Sequence, residues 1–151
     1  MNVLFVCTGN TCRSPMAEAL LRRALEERGV EGVTVGSAGT GAWDGAPASE
    51  GAYLVGLENG LDLSGHRARL LSRDLVRTAD VILAMSAQHR SRIEALGGGD
   101  RVHTLVEYAG AGQRDGDVSD PYGSDLDAYR VTYHQLAELI EGAVTRMTAG
   151  R

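Results

Sequence analysis

Cysteine occurs only twice in the 151 residues, and both copies, Cys7 and Cys12, lie in one short stretch. A secreted scaffold would spread more of them as staples, so a disulfide-built fold is not expected. No apolar run reaches membrane-spanning length, so no membrane partner is expected. The first residues carry no basic segment, so Met1 to Val6 reads as a strand and not a leader, and a cytoplasmic chain is expected. Positive charge is also short. Lys+Arg 15 against Asp+Glu 20 leaves a net charge of -5, which disfavours nucleic acid as a partner. Repeats, low-complexity tracts and obvious linkers are missing, and only 109–117 is locally loose. What remains, 43% hydrophobic, fits one domain over residues 1–151 with a real core.

The elements that are present alternate. Val3 to Val6 is a short continuous apolar run, as in a strand covered on both faces. Ser14 is placed to cap the next helix, with Pro15 at its first position. Met16, Leu20 and Ala24 recur at helical spacing to about Arg28, and Gly29 ends the helix. Val33 to Val35 reads as a second strand, 36–47 as loop, and Ala48 to Glu58 as a helix stopped by Asn59-Gly60. A short helix is expected over Arg73 to Arg77 and a strong strand over Asp80 to Met85. Ser86 caps a helix to Leu96, and Val102 to Val106 reads as a fourth strand. A long loop precedes the final helix, Asp125 to about Met147, whose buried side carries Leu136, Leu139, Ile140 and Ala143. This alternation implies an α/β fold of right-handed βαβ units: a three-layer, four-stranded parallel sheet with helices on both faces. Ligands bind such sheets beyond the carboxyl ends of the strands, where the stretch after Val6 falls.

That stretch holds the chemistry. Cys7 opens it and Arg13 closes it, with five residues between. The thiolate is the reactive form of a cysteine. A helix N-terminus, the Arg13 cation and the inward amides of a compact loop all favour an anion there, and Ser14 can donate to the sulfur. Gly9 lets the backbone curl close to a ligand, and Asn10 tolerates a left-handed turn. Arg13 can grip two oxygens of a phosphate-like dianion in a fork that lysine lacks. The blander alternative is a buried cysteine after a strand with Arg13 in a surface ion pair. The number of helpful residue types at useful spacings weighs against it. Gly-x4-Gly-Lys-Ser/Thr is absent, so this is not a nucleotide P-loop. Zinc on Cys7 and Cys12 would need histidines from among His66, His89, His103 and His134, which lie in unrelated contexts, so no metal is expected. Phosphoryl transfer to Cys7 also needs an acid for the leaving group. Asp120, made extended by Pro121, is the candidate, although Asp-Pro is also an ordinary turn signal.

Val6-Cys7-Thr8-Gly9-Asn10-Thr11-Cys12-Arg13-Ser14-Pro15-Met16-Ala17-Glu18-Ala19 resembles the phosphate loop of the low-molecular-weight protein-tyrosine phosphatases. Ser37-Ala38-Gly39-Thr40, His66-Arg67-Ala68-Arg69, Leu83-Ala84-Met85 and Asp120-Pro121-Tyr122-Gly123 resemble its other signatures, in order. The resemblance implies Cys7 as the nucleophile of a phosphocysteine intermediate, Arg13 as the phosphate and transition-state ligand, and Asp120 as acid, then base. It implies no cofactor or metal, phosphorylated proteins as substrates and a monomer. Residues Thr8 to Cys12 and Ser14 line or build the phosphate site. Asn10, Ser14, Ser37 and His66 match a network that supports the loop. Trp43 and Tyr122 fall where the family has pocket walls. Taken alone, Trp43 would be a packed surface aromatic and His66 a structural histidine. Cys12 matches a cysteine that in the family can form a disulfide with the nucleophile, a redox partner that would spare Cys7 from irreversible oxidation.

Thr11 is the informative departure, since tyrosine-directed members often carry isoleucine there. Threonine, the 117–123 stretch and Asp127-Ala128-Tyr129 resemble the bacterial protein-arginine phosphatase branch. Thr11 is shorter than isoleucine and offers a hydroxyl beside the leaving group, and the Asp120 carboxylate can pair with a planar guanidinium. Phosphoarginine is therefore favoured over phosphotyrosine. Arsenate reduction would need a further cysteine, and none follows Cys12. A non-catalytic phosphoprotein-binding module would not need Cys7, Arg13 and Asp120 together.

Overall fold

The computed structural model describes residues 1–110 and 116–149. Most of the loose stretch expected over 109–117 lies outside the described residues. Strand β1 (Asn2–Cys7) leads into helix α1 (Arg13–Glu27), then β2 (Thr34–Gly39), α2 (Glu50–Glu58), α3 (Arg73–Thr78), β3 (Val81–Ala84) and α4 (Ala87–Ala95). A 3-10 turn (Gly99–Arg101), β4 (Val102–Thr104), α5 (Leu105–Ala109) and α6 (Leu126–Met147) complete the chain. The strands form one parallel sheet in the order β2-β1-β3-β4. The chain leaves β1 for one neighbour and later adds β3 on the other side. The carboxyl end of β1 is thus the switch point at which such sheets bind ligands. Among the described residues no helix is long and apolar enough to cross a membrane.

Strand β1 is apolar on both faces because both are covered. Val3, Phe5 and Cys7 point into a core shared with α1, α2, α5 and α6, built on residues such as Met16, Leu21, Val55, Leu136 and Ile140. Leu4 and Val6 point the other way, against Val76 of α3 and Ile93 of α4. This is the three-layer arrangement that the alternating pattern implied.

Three boundaries differ from the sequence reading, each for a local reason. Strand β2 continues through Gly36 to Gly39, pairing with Leu4 to Cys7, where a loop was expected. Its residues are small because neighbours approach closely: a Cβ on Gly39 would lie 2.4 Å from the Thr8 carbonyl oxygen. Strand β4 stops at Thr104. The Thr104 hydroxyl accepts from the Glu107 N–H and the Glu107 carboxylate accepts from the Thr104 N–H, a capping box that starts α5 at Leu105. Ser14 does not cap α1. The helix begins at Arg13 with Cys12 in the capping position and no side-chain cap, so Pro15 sits in its first turn and not at its first position. Gly29, at φ 64, ends it as expected.

Candidate active site

The loop after β1 turns back at Asn10, the one described non-glycine residue with positive φ, at 56. Its conformation is held from behind. The buried Asn10 side chain accepts the Arg69 N–H on Oδ1 at 2.9 Å and donates through Nδ2 to Ser14 Oγ (2.8 Å) and Ser37 Oγ (2.9 Å). Ser37 in turn donates to the Glu18 carboxylate at 2.5 Å. A carboxylate only accepts, so the Ser37 hydrogen is committed to Glu18 and Ser37 accepts from Asn10. Ser14 Oγ receives from Asn10 and lies 2.8 Å from Cys7 Sγ, within reach to donate to a thiolate. The His66 Nε2–H donates to the Asn10 carbonyl at 2.6 Å. At Gly9 a Cβ would make only an ordinary contact with Thr11 Oγ1, 3.4 Å away, so the left-handed strain sits at Asn10 instead.

The far loop arrives from between α5 and α6. The Val118 N–H donates to the Met85 carbonyl at the end of β3, and the Ser119 N–H donates to Gln135 of α6. Arg13, nearly buried, donates to the Val118 carbonyl at 3.1 Å and lies 3.5 Å from Asp120. The Tyr122 N–H donates to Asp120 Oδ1 at 3.1 Å, so the loop turns on Asp120 and leaves its other carboxyl oxygen toward Arg13. Cys7, Thr8, Gly9, Thr11, Cys12, Arg13, Gly41, Trp43, Asp120 and Tyr122 together line a cavity of about 260 Å³. Trp43 is 85% and Tyr122 74% exposed. They are rim residues and not packing for the core. The side chains of Asn10, Ser14, Ser37 and His66 lie behind the loop and outside the cavity lining.

Cys12 faces a different set of partners. Its thiol donates to Ser49 Oγ at 3.3 Å and lies 3.4 Å from Tyr129 Oη. Burial and the Cys12 contact push the Tyr129 phenol up to about 12. The ring reaches Cys12 by passing over Gly51, where a Cβ would sit 2.4 Å from it.

Two participants carry no signal in local sequence. Glu18 lies one turn into α1 and anchors the hydrogen-bond chain just described. His89, in the first turn of α4, places Nε2 2.8 Å from Thr8 Oγ1 and Nδ1 2.7 Å from Ser86 Oγ. Burial, and then the Arg13 cation, push its imidazole down to about 4. The cap at Ser86 was legible in the sequence, but the pairing of β3 with β1 that brings the start of α4 close to the loop was not.

Residues 2–150 match the profile described as low molecular weight phosphotyrosine protein phosphatase. The chain is 39% identical to a protein-arginine-phosphatase of Bacillus subtilis, covering 100% of this chain and 99% of that protein. It is 36% identical to a probable low molecular weight protein-tyrosine-phosphatase, EpsP, of Ralstonia nicotianae, covering 97% and 96%. Among solved structures, the YwlE arginine phosphatase mutant with a phosphorylated active-site serine superposes with a TM-score of 0.91 at 39% identity, covering 100% of this chain and 98% of that one. Motif, sheet and relatives agree: the chain belongs to the low molecular weight phosphotyrosine protein phosphatase family, the cysteine-dependent protein phosphatases that work through a phosphocysteine.

Proposed function

We propose that this chain hydrolyses phosphoarginine in proteins, with Cys7, Arg13 and Asp120 as its catalytic residues. The observation that carries the assignment is the convergence of all three on one small cavity, with Arg13 and Asp120 3.5 Å apart. Cys7 Sγ attacks phosphorus while Arg13 and the loop amides hold the equatorial oxygens, where transition-state charge is spread. The Ser14 hydroxyl steadies the sulfur anion before attack. Asp120, half exposed at the cavity mouth, protonates the departing group. It then takes a proton from the water that cleaves the S–P bond.

The leaving group is read from the wall it meets. A volume of about 260 Å³ lies below the roughly 300–1,000 Å³ of drug-sized sites, so it suits one phosphorylated side chain. Thr11 stands on that wall with a hydroxyl, and Asp120, once it has given up its proton, is a carboxylate that pairs with the departing planar cation. A guanidinium gains from both, whereas an aromatic ring gains more from an apolar wall. The 39% identity to a named protein-arginine-phosphatase supports the same choice. The reading includes a single domain over residues 1–151 that works as a monomer in the cytoplasm.

The test is a side-by-side assay on a phosphoarginine protein and a phosphotyrosine peptide. The expected result is a higher kcat/KM on phosphoarginine, with the order reversed by Thr11→Ile. An identical ratio in parent and variant would remove Thr11 as the selector, and a parent preference for phosphotyrosine would remove the substrate assignment.

A further inference from the structure

His89 is buried, lies on a different element from the phosphate loop, and takes no part in the scheme above, yet it touches a residue of the cavity wall. Each ring nitrogen has a hydroxyl partner. Ser86 Oγ accepts the His89 backbone N–H at 3.3 Å as the cap of α4 and lies 2.7 Å from Nδ1, and Thr8 Oγ1 lies 2.8 Å from Nε2. A neutral imidazole carries only one N–H. With it on Nε2, Ser86 gives its hydroxyl hydrogen to Nδ1 and the Nε2–H donates to Thr8. The ring is neutral at ordinary pH because burial and Arg13 hold it at about 4.

The consequence falls on Thr8. Its methyl group is turned toward Gly41, where a Cβ would lie 3.9 Å from Thr8 Cγ2, and its oxygen is turned toward His89. With one lone pair occupied by Nε2–H, the hydroxyl hydrogen remains to be donated. Thr8 is exposed and lines the cavity with Cys7 and Arg13. We propose that His89 carries its hydrogen on Nε2 and is a positioning residue that turns the Thr8 hydroxyl hydrogen into the cavity, as an oriented donor to the phosphoryl oxyanion and a side-chain contact additional to Arg13 and the loop amides. The inference rests on the reading of this cavity as a phosphate site, and it is independent of whether arginine or tyrosine leaves.

The relay ties three elements together. The α4 N-terminus also donates the Ala87 N–H to Asp117 Oδ1 at 3.1 Å, three residues before Asp120. Ser86, His89 and Asp117 thus join the end of β3, the phosphate loop and the acid loop.

The experiment measures binding of orthophosphate by calorimetry, and kcat and KM on an aryl phosphate. Its proteins are the parent, Thr8→Val, His89→Leu, His89→Gln and the Thr8→Val/His89→Leu double variant, each checked for folding by thermal melting. One hydrogen bond to a charged group corresponds to about tenfold in affinity, so Thr8→Val is expected to weaken phosphate by about that factor. His89→Leu is expected to match it, the double variant to be no worse than either, and His89→Gln, which keeps an N–H donor, to recover part of the loss. Losses that multiply in the double variant, or orthophosphate binding unchanged by Thr8→Val, would overturn the relay. Should His89→Leu fail to fold, Thr8→Val and His89→Gln still decide: with Thr8→Val weakened, a smaller loss of phosphate affinity in His89→Gln supports the relay, and no loss or a loss as large as that of Thr8→Val overturns it. Failure of the parent to bind orthophosphate or turn over an aryl phosphate would instead remove the phosphatase reading.

Discussion

The Asn10 amide joins two serines with different tasks. Its Nδ2 donates to Ser37, which gives its own hydrogen to the Glu18 carboxylate, and to Ser14, which lies 2.8 Å from Cys7 Sγ. Glu18 thus helps to fix the amide that supports the Cys7 loop. Asp120 works the opposite way, as a half-exposed group in a loop anchored by Arg13, Met85 and Gln135. Asp120→Asn keeps the Asx turn to Tyr122 but removes the acid, so turnover of a substrate with a poor leaving group is expected to fall about 10²–10⁴-fold. Steady-state rates on such a substrate check it, and an unchanged rate would mean that another group supplies the proton. At this scale the sequence was most informative where chemistry demands a residue type. Cys7, Arg13 and Asp120 could be named from reactivity and spacing, and Thr11 from the family resemblance. His89 and Glu18 could not, because their partners Thr8 and Ser37 are 81 and 19 residues away, and only folding brings them together.

Elements were legible in their centres and less so at their ends. The 22-residue α6 begins at the cap Asp125 and ends at Met147, as its pattern predicted. Val102 to Val106 read as one strand, but the Thr104–Glu107 capping box divides it into a strand and a helix. Gly36 to Gly39 resembled a loop because small residues carry no strand pattern, although they form the half of β2 beside the catalytic loop. Their smallness is a packing requirement. A Cβ at Gly39 would meet Thr8 O at 2.4 Å and Asn10 N at 2.9 Å, both backbone atoms. Gly39→Ala is therefore expected to lose about 1–3 kcal/mol of stability by overpacking, with kcat/KM falling alongside because the displaced atoms belong to the phosphate loop. Chemical denaturation and steady-state kinetics on the same sample check both parts. A variant as stable and active as the parent would show that the loop yields without cost.

In the whole molecule, one strand organises the rest. β1 is covered on both faces, lies between β2 and β3, and delivers Cys7 at the switch point of the sheet. The α1 side supplies Arg13, Ser14 and Glu18, the β2 side Ser37, and the α4 side His89. Asp120 arrives last, from the far end of the chain. The layers and their parallel order followed from the alternation of patterns, whereas the closing of the acid loop over Arg13 is a tertiary contact that no local pattern encodes. The central claim is that this arrangement exists to pass a phosphoryl group through Cys7. Rapid quenching during turnover of a phosphoarginine protein, followed by mass spectrometry of the enzyme, tests it directly. The account predicts one phosphoryl group on the peptide containing Cys7, and no turnover in Cys7→Ala. A phosphoryl group on any other residue, or turnover surviving in Cys7→Ala, would contradict it.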